Sequence, residues 1–177
     1  SDPVASVDGE EALQRLVLRY LQAFGPASKW DFAQFARLRQ ADLRPAWEAV
    51  VEQLVTMEGP DGDALVDVPD APLPDEDAPA PPRLLGMWDS VLLAYADRSR
   101  LIPEAYRPHV IRRNGDVLPT VLVDGEVAGV WRFVDGSIEV TAFHELTDDA
   151  WDGIAREARA LRALLAVRDG AAYGRFQ

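Results

Sequence analysis

Five arginines are the residues of this chain best placed to do chemistry. Arg98, Arg100, Arg107, Arg112 and Arg113 lie between Arg98 and Gly115 against one acid, Glu104, for a local charge of +4. Guanidinium forks grip phosphate oxygens in bidentate fashion, so one reading of the cluster is contact with a nucleic-acid backbone. The other is internal pairing with Asp89, Asp97, Glu104 or Asp116, a common fate of arginine in folded chains. In an extended segment Arg98 and Arg100, two residues apart, would face the same side. Arg112 and Arg113 precede a turn, from which side chains can reach outward.

Local charge decides more here than total charge. The 177 residues carry a net charge of −12, which taken alone argues against nucleic acid. From Glu58 to Asp77, however, there are eight acids and no base, so −8 of the −12 falls in that one stretch.

Other chemistries find little support. His109 and His144 are far apart in sequence and lack the close spacing of a zinc site, so a surface or structural role is expected for both. Ser99 has no Gly-x-Ser-x-Gly elbow around it. Gly125 and Gly129 fall in a predicted hairpin and strand, not in the strand-to-helix loop that cradles a nucleotide phosphate. The acids Asp75, Glu76 and Asp77 read as a solvated linker. The chain has no cysteine, which excludes disulfides and thiolate ligands and suits the cytoplasm. No run of 18 apolar residues is present and no basic leader precedes an apolar stretch, so neither a membrane span nor a signal peptide is expected. The residues themselves point to no catalytic group, no metal and no cofactor.

The elements that must position the arginines are legible from periodicity. Glu10 to Phe24 repeats apolar residues at three and four (Leu13, Leu16, Val17, Tyr20, Leu21, Phe24), with Asp8 and Glu11 at capping-box spacing and Gly25-Pro26 as a stop. A second helix should follow Ser28, with Asp31 three residues on and Trp30, Ala33, Phe35 and Leu38 making apolar contacts. A third should begin near Asp42, tolerating Pro45 in its first turn and turning Leu43, Trp47, Val50, Val51 and Leu54 inward. Val55–Met57, the turn Gly59-Pro60-Asp61-Gly62 and Ala64–Val68 read as a hairpin. Three short helices closed by a hairpin follow the order of a winged helix. Its recognition helix would present Arg39, Gln40, Asp42 and Arg44, mixed in sign, with Lys29 and Arg37 nearby. DNA reading and protein contact are therefore both open for this domain.

Asp70 to Pro82 contains five prolines and four acids and should be a stiff, extended connector. A short helix is expected from Asp89 to Ala96, and a helical turn or two between Pro103 and Ile111. Asn114-Gly115 marks a turn. Strands are expected at Val117–Val123, Val127–Val134 and Ser137–His144, joined by Asp124-Gly125, a turn of the primed type, and by Asp135-Gly136. Thr147 should cap a last helix with Trp151, Ile154, Ala158, Leu161 and Leu165 on one face. Trp30, Trp47 and Trp151 occupy helical apolar positions, so the core is the default for each.

The residues also carry a family resemblance. Trp88-Asp89, Leu92-Leu93, the run Asp97 to Pro103 (DRSRLIP) and the run Asn114 to Arg132 (NGDVLPTVLVDGEVAGVWR) resemble the C-terminal half of a bacterial winged-helix DNA-binding family. Tyr20 to Ala27 (YLQAFGPA) and Asp31-Phe32-Ala33 match as well, and the likeness extends over about residues 10 to 167. That family includes the glycosylases that unhook interstrand crosslinks and excise alkylated bases. The resemblance implies tandem winged helices and a Gln-x-Gln motif in the N-terminal half of the characterised enzymes. Here Gln14, Gln22, Gln34, Gln40, Gln53 and Gln177 are all isolated, so no catalytic residue carries over. The chain, which opens on Ser1 and a linker-like SDPVASVDG, would then be the second half of a longer protein. The implied chemistry is rupture of the bond between a damaged base and its sugar. It needs a positioned water and stabilisation of an oxocarbenium-like state, and no metal.

The expected architecture is α+β. A linker (1–9) leads to a winged-helix domain (10–70) and a Pro/acid-rich connector (71–83). A C-terminal lobe (84–168) follows, with a three-stranded antiparallel meander and flanking helices, and then a tail (169–177). The expected partners are double-stranded DNA and the missing N-terminal half of the same protein, with no membrane. DNA contacts are expected at Arg98, Arg100, Arg112 and Arg113, with Lys29 and Arg39 as weaker contributors. The alternative is a non-catalytic winged-helix module that binds DNA, regulates, or contacts other proteins.

Overall fold

The first helix, α1 (Gly9–Phe24), starts where Asp8 accepts a hydrogen bond from the Glu10 amide at 3.2 Å. The reciprocal half of the expected box is not used, because Glu11 pairs with Arg15 one turn on. Val17, Tyr20 and Leu21 are buried, while Leu16 lies off that face and is 54% exposed. Helix α2 (Lys29–Phe35) opens on a complete capping box between Ser28 and Asp31. Helix α3 (Gln40–Val51) carries Pro45 inside it and buries Leu43, Ala46, Trp47 and Val50. Strands β1 (Val55–Glu58) and β2 (Ala64–Asp67) form an antiparallel hairpin. Ala27 extends this pair by exchanging both backbone hydrogen bonds with Val66, at 3.0 and 2.9 Å. Around Tyr20, the rings of Phe24, Phe32 and Phe35 close the core at centroid distances of 5.2–5.5 Å.

This computed structural model describes residues 8–59, 62–75 and 77–166, and it divides the chain into two units. The first takes the residues up to 76 together with Ser90–Arg98; the second takes 77–89 and the residues from Ser99 on. Residues 84–168 are therefore not one continuous lobe, since Ser90–Arg98 returns to the first unit. The physical reason is a set of side-chain anchors. The Tyr20 hydroxyl donates to the Ala94 carbonyl at 2.6 Å, the Tyr95 hydroxyl donates to the Phe24 carbonyl at 2.9 Å, and the Ala96 amide donates to Asp31 Oδ1 at 2.8 Å. The same anchors account for a shorter helix than Asp89–Ala96. Helix α4 covers only Ser90–Leu93, after which the Ala94 carbonyl and Ala96 amide are committed to side chains of the first unit.

In the second unit, strands β3 (Arg83–Leu85), β4 (Thr120–Val123), β5 (Glu126–Val134) and β6 (Ser137–Ala142) form an antiparallel sheet in the order β3-β4-β5-β6. The sheet has four strands where the sequence reading expects three. The extra strand, β3, lies beside β4, with Leu84 opposite Val121. β4 begins after Pro119 because Val117 bridges to Ile111 instead. The turns at Asp124-Gly125 (φ 51° and 83°) and Asp135-Gly136 (φ 49° and 79°) have both central residues left-handed, as a primed turn requires. A 3-10 turn, Glu104–Tyr106, leads into the short α5, Arg107–Val110.

Helix α6 (Asp148–Ala166) is capped by Thr147, whose hydroxyl accepts from the Ala150 amide at 3.2 Å. Ala150, Gly153 and Ile154 form its buried face. A Cβ on Gly153 would lie 2.7 Å from Pro82 Cγ, so the helix approaches the start of β3 as closely as glycine allows. Arg83 and Glu157 sit 3.8 Å apart across the same contact.

Two tryptophans are not where periodicity puts them. Trp30 is 56% and Trp151 40% exposed, whereas Trp47 is buried. On α2 the inward face is filled by Asp31, Phe32 and Ala33, and on α6 by Ala150 and Ile154, which leaves both indoles outside. The described part of the acidic connector between 71 and 82 forms no regular element. Of the expected 1–9 linker only Asp8 and Gly9 are described, and Gly9 is already helical; the 169–177 tail lies outside the described residues.

Candidate nucleic-acid interface

Arg112 and Arg113 stand at the tip of a small hairpin built by its own backbone. Ile111 pairs with Val117, the Leu118 amide donates to the Val110 carbonyl at 3.0 Å, and the Arg112 amide donates to the Asp116 carbonyl at 2.8 Å. Asn114 supports the turn with two bonds to Asp116, one to its carboxylate at 2.7 Å and one from its amide at 3.1 Å. Gly115, at φ +90°, takes the left-handed position that a residue with a Cβ would resist. Asp116 is thereby occupied with the turn. Both guanidiniums are exposed, and among the described residues neither makes an ion pair or side-chain hydrogen bond. Val110 and Val117 are fully buried, so the hairpin is fixed at its base and open at its tip.

The other expected contacts are placed differently. Arg98 belongs to the first unit and Arg100 to the second, so a cluster contiguous in sequence is divided between them. The segment is not extended there, since Ser99 to Leu101 form a turn. Both side chains are half-buried and each is engaged in an interaction within the chain. Within its unit, Arg98 lines a cavity of about 320 Å³ with Gln34, Phe35, Arg37 and Leu93. Lys29 is the first residue of α2 and half-buried. Arg39 precedes α3 and forks onto the Asp42 carboxylate at 2.8 and 3.1 Å. That hydrogen bond, together with the carboxylate charge, holds the Arg39 guanidinium above its usual pKa. Its charge is thus partly answered by a carboxylate three residues on.

Beside the arginine hairpin lies a groove of about 530 Å³, with Met87, Pro119, Trp131 and Phe133 as its apolar wall and Arg112 on its rim. Met87 and Phe133 are 55% and 48% exposed, and the Trp131 indole N–H is satisfied by the Leu85 carbonyl at 2.7 Å. Arg132 closes the rim through Glu139 at 2.6 Å. No sequence spacing shows this groove, because Met87 and Phe133 reach it from separate segments of the chain.

Sequence reasoning also missed how the two histidines come together. His144 Nδ1 lies 3.2 Å from the Tyr106 hydroxyl with the rings stacked, and His109 packs on Phe143 at 5.5 Å. Phe143 in turn contacts Tyr106 at 5.0 Å. The cluster is a surface packing unit; no group of three metal-ligating side chains exists among the described residues. No helix among them is long and apolar enough to cross a membrane.

A family model described as "DNA glycosylase AlkZ-like" matches residues 1–164. The interstrand DNA cross-link repair glycosylase of Streptomyces sahachiroi is 31% identical over 140 residues, which are 76% of this chain and 38% of that protein. The solved structure of the Streptomyces sahachiroi DNA glycosylase AlkZ aligns with a TM-score of 0.76 at 27% identity, over 92% of this chain and 46% of that one. The chain therefore spans less than half the length of either relative.

Proposed function

Because the chain belongs to the AlkZ-like DNA glycosylase family, we propose that it is the DNA-holding portion of a base-excision enzyme that acts on alkylated or crosslinked bases. The family match favours this reading over a regulatory or protein-contact module. The observation that carries the DNA contact is the hairpin tip, where Arg112 and Arg113 are exposed on a fixed base and no carboxylate among the described residues takes their charge. Phosphate binding needs such forks held within reach of a backbone, and a rigid turn supplies two of them at little entropic cost.

The first unit is read as a winged helix. Its support is the order of three helices, the β1–β2 hairpin and the bridge that Ala27 adds to Val66. Lys29, Arg98 and Arg100 are assigned supporting phosphate contacts, and Arg39 contributes only when a phosphate competes with Asp42 for its fork. The catalytic motif is assigned to a part of the protein outside these 177 residues, the N-terminal half implied by the family's pattern. The protein is placed in the cytoplasm with its DNA. No step of base excision by positioned water calls for a cofactor.

The test is duplex binding by the purified chain as a function of salt. Replacing both residues (Arg112→Ala with Arg113→Ala) is expected to weaken binding equally for all sequences and to lower the salt slope by about 1.8, near 0.9 for each phosphate no longer neutralised. Unchanged affinity and slope would remove the hairpin from the interface. In the same preparation no methylated purine should be released from alkylated DNA; release would place a catalytic group within this chain.

A further inference from the structure

The second unit has another cationic site that the function above leaves unused. Along β6, Glu139 and Thr141 line the groove beside the arginine hairpin, while the alternating Ile138 and Val140 line a second groove against α6. Because successive strand side chains point to opposite faces, the two grooves lie on opposite faces of the sheet. The second has a volume of about 410 Å³, and its other wall is α6, through Trp151, Ala155, Arg159 and Arg162. These positions recur at intervals of four, four and three, so they follow one face of the helix.

The composition of that face is unusual for so acidic a chain. After Glu157, which is engaged with Arg83, the helix carries no acid from Ala158 to Ala166. Arg159 and Arg162 are exposed, and among the described residues neither has an ion pair or side-chain hydrogen bond. Trp151 is 40% exposed and lines the groove together with Ala155, one turn further along α6. An exposed tryptophan followed by two guanidiniums without an ion pair among the described residues suits a ligand with a flat π-face and repeated negative charge.

We propose that this groove receives unpaired nucleotides of a DNA strand, with the Trp151 indole stacked on a base and Arg159 and Arg162 on the neighbouring phosphates. The inference rests on the DNA-binding reading given above and extends it to the single strand. A paired duplex keeps its base faces within the stack, so the indole can act only on a base that has left it. Enzymes that excise a base extrude the target nucleotide from the duplex, and a second site on the far face of the sheet from the hairpin would hold a nucleotide that has left the stack.

The test uses the 177-residue chain with two probes, a fluorescent oligothymidylate and a hairpin duplex. Trp151→Ala is expected to weaken oligothymidylate binding about tenfold and to change duplex affinity by less than about twofold, whereas Trp151→Phe keeps a stacking face and retains most of the affinity. Arg159→Ala with Arg162→Ala should lower the salt slope on the oligothymidylate by about 1.4, near 0.7 per phosphate on a single strand. Thermal melting checks that each variant is folded. If the parent chain binds the duplex but not the oligothymidylate, or if Trp151→Ala leaves oligothymidylate affinity unchanged, this inference falls and the hairpin assignment stands. Binding of neither probe overturns both. If Trp151→Ala instead alters the sedimentation of the free chain, the groove is a protein contact and the inference is overturned.

Discussion

The two units use their polar side chains in opposite directions. In the first, polar groups turn inward and tie distant segments together: the Asp31 carboxylate, only 6% exposed, accepts from the Ser28 amide, the Ser28 hydroxyl and the Ala96 amide, at 2.7–2.8 Å. In the second, successive hairpins close the structure through the backbone, and the arginines at the hairpin tip and on α6 stay outside. A buried carboxylate with its acceptor sites filled is a structural joint. An exposed guanidinium on a rigid turn is available to a ligand. What a charge in this chain can do thus depends on what already answers it, and not on its density in the sequence.

The largest effect on stability is expected at Asp31. Asp31→Ala removes the reciprocal half of the capping box and the tether to Ala96 at once, leaving the Ser28 and Ala96 amides without that partner. It is expected to cost about 3 kcal/mol of stability, seen as a fall in the urea midpoint. A loss below about 1 kcal/mol would mean the carboxylate is no joint. In the second unit the corresponding weak point is a backbone fit. Gly153→Ala puts a methyl group into Pro82 and is expected to destabilise by about 1–3 kcal/mol, although alanine is the better helix former. An increase in melting temperature would show that the α6–β3 approach can relax. The smallest effect on stability belongs to the arginine tip. The Arg112→Ala and Arg113→Ala pair should leave the unfolding free energy within about 0.5 kcal/mol of the parent while DNA affinity falls. A large stability loss would move these two residues into the structural class with Asp31.

Part of the candidate site was legible because its signals are local. Asn114-Gly115 marks the turn that carries Arg112 and Arg113, since a left-handed residue and a side chain that bonds its own turn are needed within two positions. The closure of that turn by Ile111 and Val117 and the groove beside it were not legible, because their partners come from segments with no spacing between them to read. The shared side expected of Arg98 and Arg100 was not legible either, for a local reason. Their alternation implies a shared side only if the backbone is extended, and it turns there.

Local geometry followed from neighbouring residues: the Ser28–Asp31 box that starts α2, the Thr147 cap of α6, the primed turns at Asp124-Gly125 and Asp135-Gly136, and the sign of the charge around the hairpin. Each depends on dihedral preferences and hydrogen bonds within a few residues. Tertiary structure alone decided that Ser90–Arg98 joins the first unit, that Arg83–Leu85 becomes a fourth strand, and that Trp151 stays outside. Those outcomes turn on which distant group satisfies a given backbone bond or fills a given face. Asp31 and Tyr20 hold the backbone after α4, β4 pairs with β3, and Ala150 with Ile154 fill the inward side of α6, which leaves the indole outside.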